Sequence, residues 1–177
     1  TLTLSAEMGS LRSLQLMLDA GASARVPPNT WSPLHAAIFS RSKARYDCAA
    51  ALLRAGADAN ALDHVGRTPL SLTISLSPNP PAPGETREVV LRPVNSRLMA
   101  TLLRKGARLP APNYLNLRAY TLNVTAYIDA IRRAGGYARY ETMRRAPFVA
   151  ALARCGGFPI PDDMIAIVVG FWVRSWY

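Results

Sequence analysis

The chain has 177 residues, and half of them are hydrophobic, which is enough for a continuous core and excludes disorder throughout. It carries 21 Lys and Arg against 11 Asp and Glu, a formal net charge of +10. Its two cysteines, Cys48 and Cys155, are too few for a disulfide framework and have no neighbouring His or Cys that would indicate a zinc cluster. An intracellular, reducing compartment is therefore predicted, with cytoplasm, plastid and mitochondrion all left open.

Arginine supplies nearly all of the positive charge, since only Lys43 and Lys105 are lysines. Guanidinium groups bind carboxylates and phosphates with paired hydrogen bonds, so the partner is expected to be a protein with an acidic surface, or RNA. A GC-rich coding sequence would also enrich arginine without functional pressure, and composition does not separate these explanations. The longest apolar stretch, residues 164–173, is half of what a membrane helix needs, so no transmembrane segment is predicted. Peripheral association with a membrane complex is left open.

Three segments of the chain share one ending. Residues 16–22, 51–57 and 101–107 each contain leucines, then two polar or small residues, then Gly-Ala. Each predicts an amphipathic helix that ends at glycine, because glycine adopts the left-handed conformation that closes a helix. The first copy begins at Thr1 without its loop, so we expect part of a repeat to precede it.

Two of these copies follow a second motif, Ser-Pro-Leu-His-Ala-Ala at 32–37 and Gly-Arg-Thr-Pro-Leu-Ser at 66–71. A hydroxyl before proline caps a helix, and proline suits the first turn. The motif resembles the Thr-Pro-Leu-His-x-Ala signature of ankyrin repeats, whose period is about 33 residues. The resemblance implies an all-α solenoid of helix-turn-helix pairs joined by short β-hairpin loops. It also implies that His35 hydrogen-bonds neighbouring backbone and orders the stack.

The predicted organisation follows these motifs along the chain. It comprises a truncated repeat at 1–26, a repeat at 27–62, a repeat at 63–109 with a Pro-rich insertion at 77–95, a degenerate fourth repeat at 110–136, and a helical cap at 137–177 that closes the solenoid. The insertion is expected to be non-helical because of its prolines. In the fourth repeat we expect helices over 114–120 and 124–134, the second capped by Asn123 and closed by Gly135-Gly136.

The cap is expected to contain two helices, at 137–154 and 161–172. In the second, Pro161 suits the first turn, and Asp162 and Asp163 face the positive end of the helix dipole. The tail from Tyr127 to Trp172, especially Ala134-Gly135-Gly136-Tyr137 and Ile160-Pro161-Asp162-Asp163, resembles extensions that follow ankyrin repeats in proteins of microalgae and related protists. This second resemblance brings no known chemistry.

Few residues suggest catalysis. His35 belongs to the repeat signature, His64 lies at a predicted loop tip, and Cys48 lies among alanines on a helix, where a thiol acts as a small hydrophobe. A Cys48/His35 dyad is a weaker alternative to these structural roles. No phosphate-binding glycine loop is present. We therefore predict no catalytic residue, no cofactor and no metal site.

The predicted function is a non-catalytic protein-protein interaction module, as an adaptor or as an accessory or scaffold subunit. In ankyrin proteins the loop tips and inner helices form a concave recognition face, and the resemblance places Trp31 and Arg67 at equivalent loop positions. Trp31 would be an exposed contact residue, with packing inside its own loop as the alternative. The candidate partner-binding residues are Asn29, Trp31, Phe39, His64, Val65, Arg67, Ser75 and, in the insertion, Arg87.

A basic region suggests an alternative function as an RNA-contacting subunit of a ribonucleoprotein such as an organellar ribosome. Rings that stack on bases and guanidinium groups that meet phosphates commonly track RNA. An amphipathic helix that buries tyrosines and solvates arginines would show the same pattern. The residues concerned are Arg132, Arg133, Arg139, Arg144 and Arg145, interleaved with Tyr127, Tyr137 and Tyr140.

Overall fold

The computed structural model describes residues 1–27, 29–76, 93–111 and 122–155. These residues form eight α-helices and no strand, which confirms the predicted all-α fold. The chain divides into two compact units, Thr1–Thr125 and Ala126–Tyr177. The helices are α1 Leu2–Glu7, α2 Leu11–Asp19, α3 Pro33–Phe39, α4 Arg45–Arg54, α5 Pro69–Ser75, α6 Pro93–Arg104, α7 Leu122–Arg133 and α8 Tyr137–Cys155.

The starts of α3 and α5 follow from the hydroxyl-proline pair. Ser32 Oγ accepts the backbone N–H of His35 at 3.2 Å, and Pro33 opens α3. At α5, Thr68 Oγ1 accepts the N–H of Ser71 at 3.1 Å while Ser71 Oγ accepts the N–H of Thr68 at 2.9 Å. Each side chain thus satisfies backbone donors that the first helical turn leaves unpaired.

Four helices end in the same way, at Gly21, Gly56, Gly106 and Gly135. These glycines have φ between 79° and 86°. In each case the following residue donates its N–H to the carbonyl five residues earlier, at 2.9 to 3.0 Å. This Schellman arrangement confirms the three predicted helix endings and closes α7 in the same manner.

The first unit is a row of helix pairs in two layers. The inner helices pack in the order α1, α3, α5, the outer helices in the order α2, α4, α6, and each inner helix also contacts its own outer helix. Stacking pairs in this way buries one continuous core, because no single pair can cover its own apolar face. Fully buried side chains that represent this core are Leu14, Leu34, Leu52, Leu70 and Leu102.

Equivalent hydrogen bonds join successive pairs. Arg25 Nε donates to the carbonyl of Gly56 at 3.0 Å, and Asn60 Nδ2 donates to the carbonyl of Gly106 at 3.0 Å. Asn60 Oδ1 also accepts the N–H of Arg108 at 2.8 Å. Arg25 and Asn60 each lie four residues after a helix-ending glycine, so the stack repeats its register from one pair to the next.

Several predicted boundaries differ from the structure. Helix α6 begins at Pro93, so residues 93–95 are helical, whereas the whole insertion at 77–95 was expected to be non-helical. The physical reason is that backbone N–H groups in the first turn of a helix have no acceptor within the helix. Proline, which lacks this N–H, is therefore tolerated there. Helix α7 begins at Leu122, so Asn123 lies within it and does not cap it.

Other predictions fall partly outside the described residues. Helix α8 begins at Tyr137 as predicted and extends to Cys155. Residues 77–92, the predicted helices at 114–120 and 161–172, and Arg87 lie outside the described ranges. In the part of the chain that the structure describes, no helix is both long enough and apolar enough to cross a membrane.

Candidate functional site

His35 joins α3 to the loop that precedes α5. Its side chain is completely buried on α3. Nε2 lies 3.1 Å from the carbonyl oxygen of Arg67, which can only accept, so Nε2 carries the proton. Nδ1 therefore accepts the hydroxyl proton of Ser32 at 2.7 Å. Burial lowers the pKa of His35, which favours the neutral ring in this position. The role that the resemblance implied for His35 is confirmed.

The loop that receives this hydrogen bond is organised by Asp63. Its Oδ1 accepts the N–H groups of Val65 at 2.9 Å and Arg67 at 2.8 Å, and its Oδ2 accepts Arg67 Nε at 2.8 Å. The N–H of Asp63 donates to the carbonyl of Arg67 at 3.0 Å. Burial raises the pKa of Asp63, but the hydrogen bonds from Arg67 and Val65 outweigh it, and the net shift is downward. Loop 63–67 is thus held in one conformation.

Sequence reasoning missed Asp63. A signal was present, because an aspartate that precedes a Val-Gly turn commonly bonds backbone N–H groups two residues on. Its buried carboxylate also decides the direction of the Arg67 side chain, since it holds the guanidinium through the 2.8 Å ion pair.

Three aromatic side chains form a continuous surface, called here the aromatic strip: Phe39, Trp31 and His64. The Trp31 ring lies 5.8 Å from the Phe39 ring in an edge-to-face arrangement and 6.2 Å from the His64 ring. It also lies 5.6 Å from the ring of His35. The strip therefore runs along α3 and continues onto the next loop. Phe39 is 51% exposed, His64 is exposed and Trp31 is half-buried.

The position of Trp31 differs from both sequence-based alternatives. It is not fully exposed, since it is half-buried and its ring contacts lie along α3 and on His64. It is not confined to its own loop either, because His64 belongs to the following one. Trp31 is therefore partly accessible and is supported by rings on both sides of the strip.

The remaining predicted partner-binding residues lie on the loops and at the end of an inner helix. Val65 is exposed beside His64 in the loop. Asn29 is exposed with a φ of 58°, a left-handed conformation that asparagine tolerates better than most residues. Ser75 ends α5, is exposed, and donates its hydroxyl to the carbonyl of Leu72 at 2.9 Å.

Four arginines of the basic region, Arg132, Arg133, Arg144 and Arg145, contact side chains or backbone of their own helices. Arg132 pairs with Asp129 at 3.0 Å and Arg145 with Glu141 at 2.8 Å. Arg144 donates to the hydroxyl of Tyr140 at 3.4 Å. Arg133 Nε donates to the carbonyl of Asp129 at 3.4 Å, and Arg139 is exposed on α8.

The tyrosines of the same region pack against one another. Tyr127 meets Tyr140 at 5.5 Å with nearly perpendicular rings, and Tyr137 lies 6.2 Å from Tyr140. All three are half-buried. Contacts of this kind are typical of amphipathic helices that cover their aromatic residues and solvate their charges.

Cys48 has the properties of a packed apolar side chain. It is fully buried on α4, and burial, followed by the charge of Asp47, raises the pKa of its thiol. A nucleophilic cysteine needs the opposite shift. Both ring nitrogens of His35 are engaged by Ser32 and Arg67, so His35 offers Cys48 no available base. Within the described ranges, no three His, Cys, Asp or Glu side chains group as a metal site.

Comparison with known families finds the ankyrin repeat at residues 29–64. The matched segment contains the whole aromatic strip together with His35 and Asp63. Comparison with curated proteins finds no match for the chain. The match and the helical stack identify residues 29–64 as an ankyrin repeat, a type of unit that typically mediates protein-protein interactions.

Proposed function

We propose that this protein is a non-catalytic binding module, acting as an adaptor or as an accessory or scaffold subunit, and that its protein partner contacts the aromatic strip. The observation that carries the proposal is the continuity of Phe39, Trp31 and His64 from α3 and the loop before it to the loop before α5. Half-exposed aromatic side chains on a rigid base are the residues that contribute most to protein interfaces, because they bury large areas at low entropic cost.

The support beneath the strip strengthens this proposal. His35 and Asp63 fix the two elements that carry the strip, through hydrogen bonds of 2.7 to 3.1 Å. A preorganised surface loses little conformational freedom on binding, so more of the contact energy appears as affinity. The chain beyond Phe39 adds exposed cations at Arg41 and Lys43, which favours a partner with acidic groups beside its apolar contacts.

The test is affinity purification from native extract with and without nuclease, using wild type, Phe39→Ala and Trp31→Ala. We expect a nuclease-resistant protein partner whose capture falls at least about tenfold in each variant, which corresponds to about 1.4 kcal/mol. Met143→Ala is the matched control, because Met143 is an exposed apolar residue on α8 outside the strip. Thermal unfolding of each variant separates lost binding from lost folding.

The same purification addresses the RNA alternative. The carboxylate pairing of Arg132 and Arg145 and the mutual packing of the tyrosines favour the protein-binding proposal. Recovery of RNA with steep salt dependence, abolished by Arg139→Ala and Arg133→Ala but not by Phe39→Ala, would replace the proposed function with a ribonucleoprotein role.

A further inference from the structure

The guanidinium group of Arg67 is oriented by a buried carboxylate. Its Nε donates to Asp63 Oδ2 at 2.8 Å, and the Asp63 side chain is fully buried while that of Arg67 is 33% exposed. The other oxygen of Asp63 accepts the N–H groups of Val65 and Arg67, so the loop that carries the guanidinium is fixed. Within the described residues, Asp63 is the one side chain that pairs with Arg67. The terminal nitrogens Nη1 and Nη2 therefore keep their N–H donors for a further acceptor.

Arg67 lies next to the aromatic strip in the stack. Its carbonyl oxygen accepts the Nε2–H of His35 at 3.1 Å, and the His35 ring lies 5.6 Å from the ring of Trp31. Trp31 and Arg67 each directly precede the capping residue of an inner helix, Ser32 for α3 and Thr68 for α5. Because α3 and α5 pack against each other, these equivalent positions are expected to lie about 8–10 Å apart. A partner that contacts the strip can therefore reach Arg67.

The charges of loop 63–67 favour a carboxylate over a phosphate as the ligand. A guanidinium group binds both anions through paired N–H donors. Phosphate sites usually gather several arginines, because a phosphate group carries close to two negative charges. This loop contains one arginine and one carboxylate, Arg67 and Asp63, so the guanidinium already shares its charge. A singly charged ligand suits such a site.

We propose that Arg67 binds a carboxylate of the protein partner, the side chain of an aspartate or glutamate about three residues along an extended segment from the apolar residue that contacts Trp31. This inference rests on the proposed function, since it adds a polar contact to the same surface. The spacing follows from the distance of about 8–10 Å between the two positions and the rise of about 3.3 Å per residue in an extended chain. Arg67 thus discriminates among segments whose apolar residues fit the strip equally well.

The pairing with Asp63 makes Arg67 suited to this role. An arginine side chain has several rotatable bonds, and ordering them on binding costs affinity. Because Asp63 already holds Nε, much of that ordering is complete before the partner arrives. A lysine at this position would keep the positive charge but could not hold Asp63 and a second carboxylate through one planar group.

The test selects displayed peptides of random sequence with the full chain as bait. We expect wild type to enrich segments with an aspartate or glutamate about two to four positions from a large apolar residue. With Arg67→Ala as bait, the acidic residue should disappear from the enriched sequences while the apolar residue remains. With Trp31→Ala as bait, the apolar residue should lose its enrichment.

The most enriched peptide then provides a quantitative measurement by fluorescence anisotropy, beside a version with Asn or Gln in place of its acidic residue. We expect Arg67→Ala to weaken binding of the acidic peptide at least about tenfold and that of the amide version less than about twofold. Arg67→Lys should weaken the acidic peptide at least about fivefold. Arg12→Ala, at an exposed arginine on α2, is the matched control for the loss of one positive charge and should change neither affinity. Retained binding of the amide version shows that each variant is folded.

Enriched peptides that lack an acidic residue but still depend on Trp31 would refute the carboxylate contact and leave the proposed function standing. Full rescue by Arg67→Lys would also refute it, because charge alone would then explain the effect. So would a phosphoserine version that binds more tightly than the acidic peptide. Enrichment by wild type that depends on neither Trp31 nor Phe39, or no enrichment at all, would overturn the proposed function together with this inference.

Discussion

Replacing His35 tests the link between α3 and the loop before α5 most directly. The side chain is completely buried and bonds Ser32 at 2.7 Å and the Arg67 carbonyl at 3.1 Å. His35→Ala would leave both partners without this bond and would open a cavity. A lost hydrogen bond with buried partners costs about 1–3 kcal/mol, and the removed ring atoms add to that cost. We expect the free energy of unfolding in urea at pH 7.5 to fall by about 2–4 kcal/mol.

The pH dependence of stability provides a second measurement on the same residue. Because burial lowers the pKa of His35, the unfolded chain takes up a proton at higher pH than the folded chain. The contribution of the neutral ring is complete above about pH 6.5 and is lost as the pH falls towards the lowered value. Wild type should therefore lose stability between pH 7.5 and 5.5, by at most about 1.4 kcal/mol per pH unit.

His35→Gln should remove this dependence, and His64→Gln is the matched control because these are the two histidines of the chain. A His35→Ala variant that loses less than about 1 kcal/mol would contradict the structural link. So would a His35→Gln variant that keeps the pH slope of wild type.

Two further predictions concern the backbone of the stack and its loop. Gly9→Ala should cost at least about 1 kcal/mol more than Gly56→Ala in urea unfolding, because both glycines have positive φ but only a Cβ at Gly9 would overlap the Ser42 side chain. Equal losses of unfolding free energy in the two variants would show that the loop around Ser42 moves aside at no measurable cost. Asp63→Asn should lower the unfolding free energy at pH 7 by about 1–3 kcal/mol, because it removes the carboxylate charge that pairs with the Arg67 guanidinium. Because the pKa of Asp63 is lowered, its contribution is present above about pH 3.9 and is lost as the pH falls further, so the variant should show a smaller acid-induced loss than wild type. Acid curves of the same steepness for both proteins would contradict this.

Local interactions explain why the helix boundaries were readable in advance. The hydroxyl of Ser32 accepts the N–H three residues later. At the end of α4, the N–H groups of residues 55–57 donate to carbonyls three to five residues earlier. These contacts involve neighbours in the chain, so residue type and spacing determine them. The role of His35 was accessible too, through its position in a repeated motif. Pro93 was misassigned because proline is compatible both with a loop and with the first helical turn.

The aromatic strip depends on tertiary contacts that the spacing of residues in the sequence does not encode. Phe39, Trp31 and His64 were each selected as candidates, but their contact depends on side-chain rotamers and on the offset between two stacked repeats. Tertiary packing decides exposure in the same way: Leu4 and Leu72 are the same residue type at equivalent helix positions, yet one is 54% exposed and the other 1%. The sequence by itself determined where α3 and α5 begin and where α2, α4 and α6 end, because those signals act within one or two helical turns. Only the tertiary structure decided which side chains stay accessible, because burial depends on the neighbouring repeat.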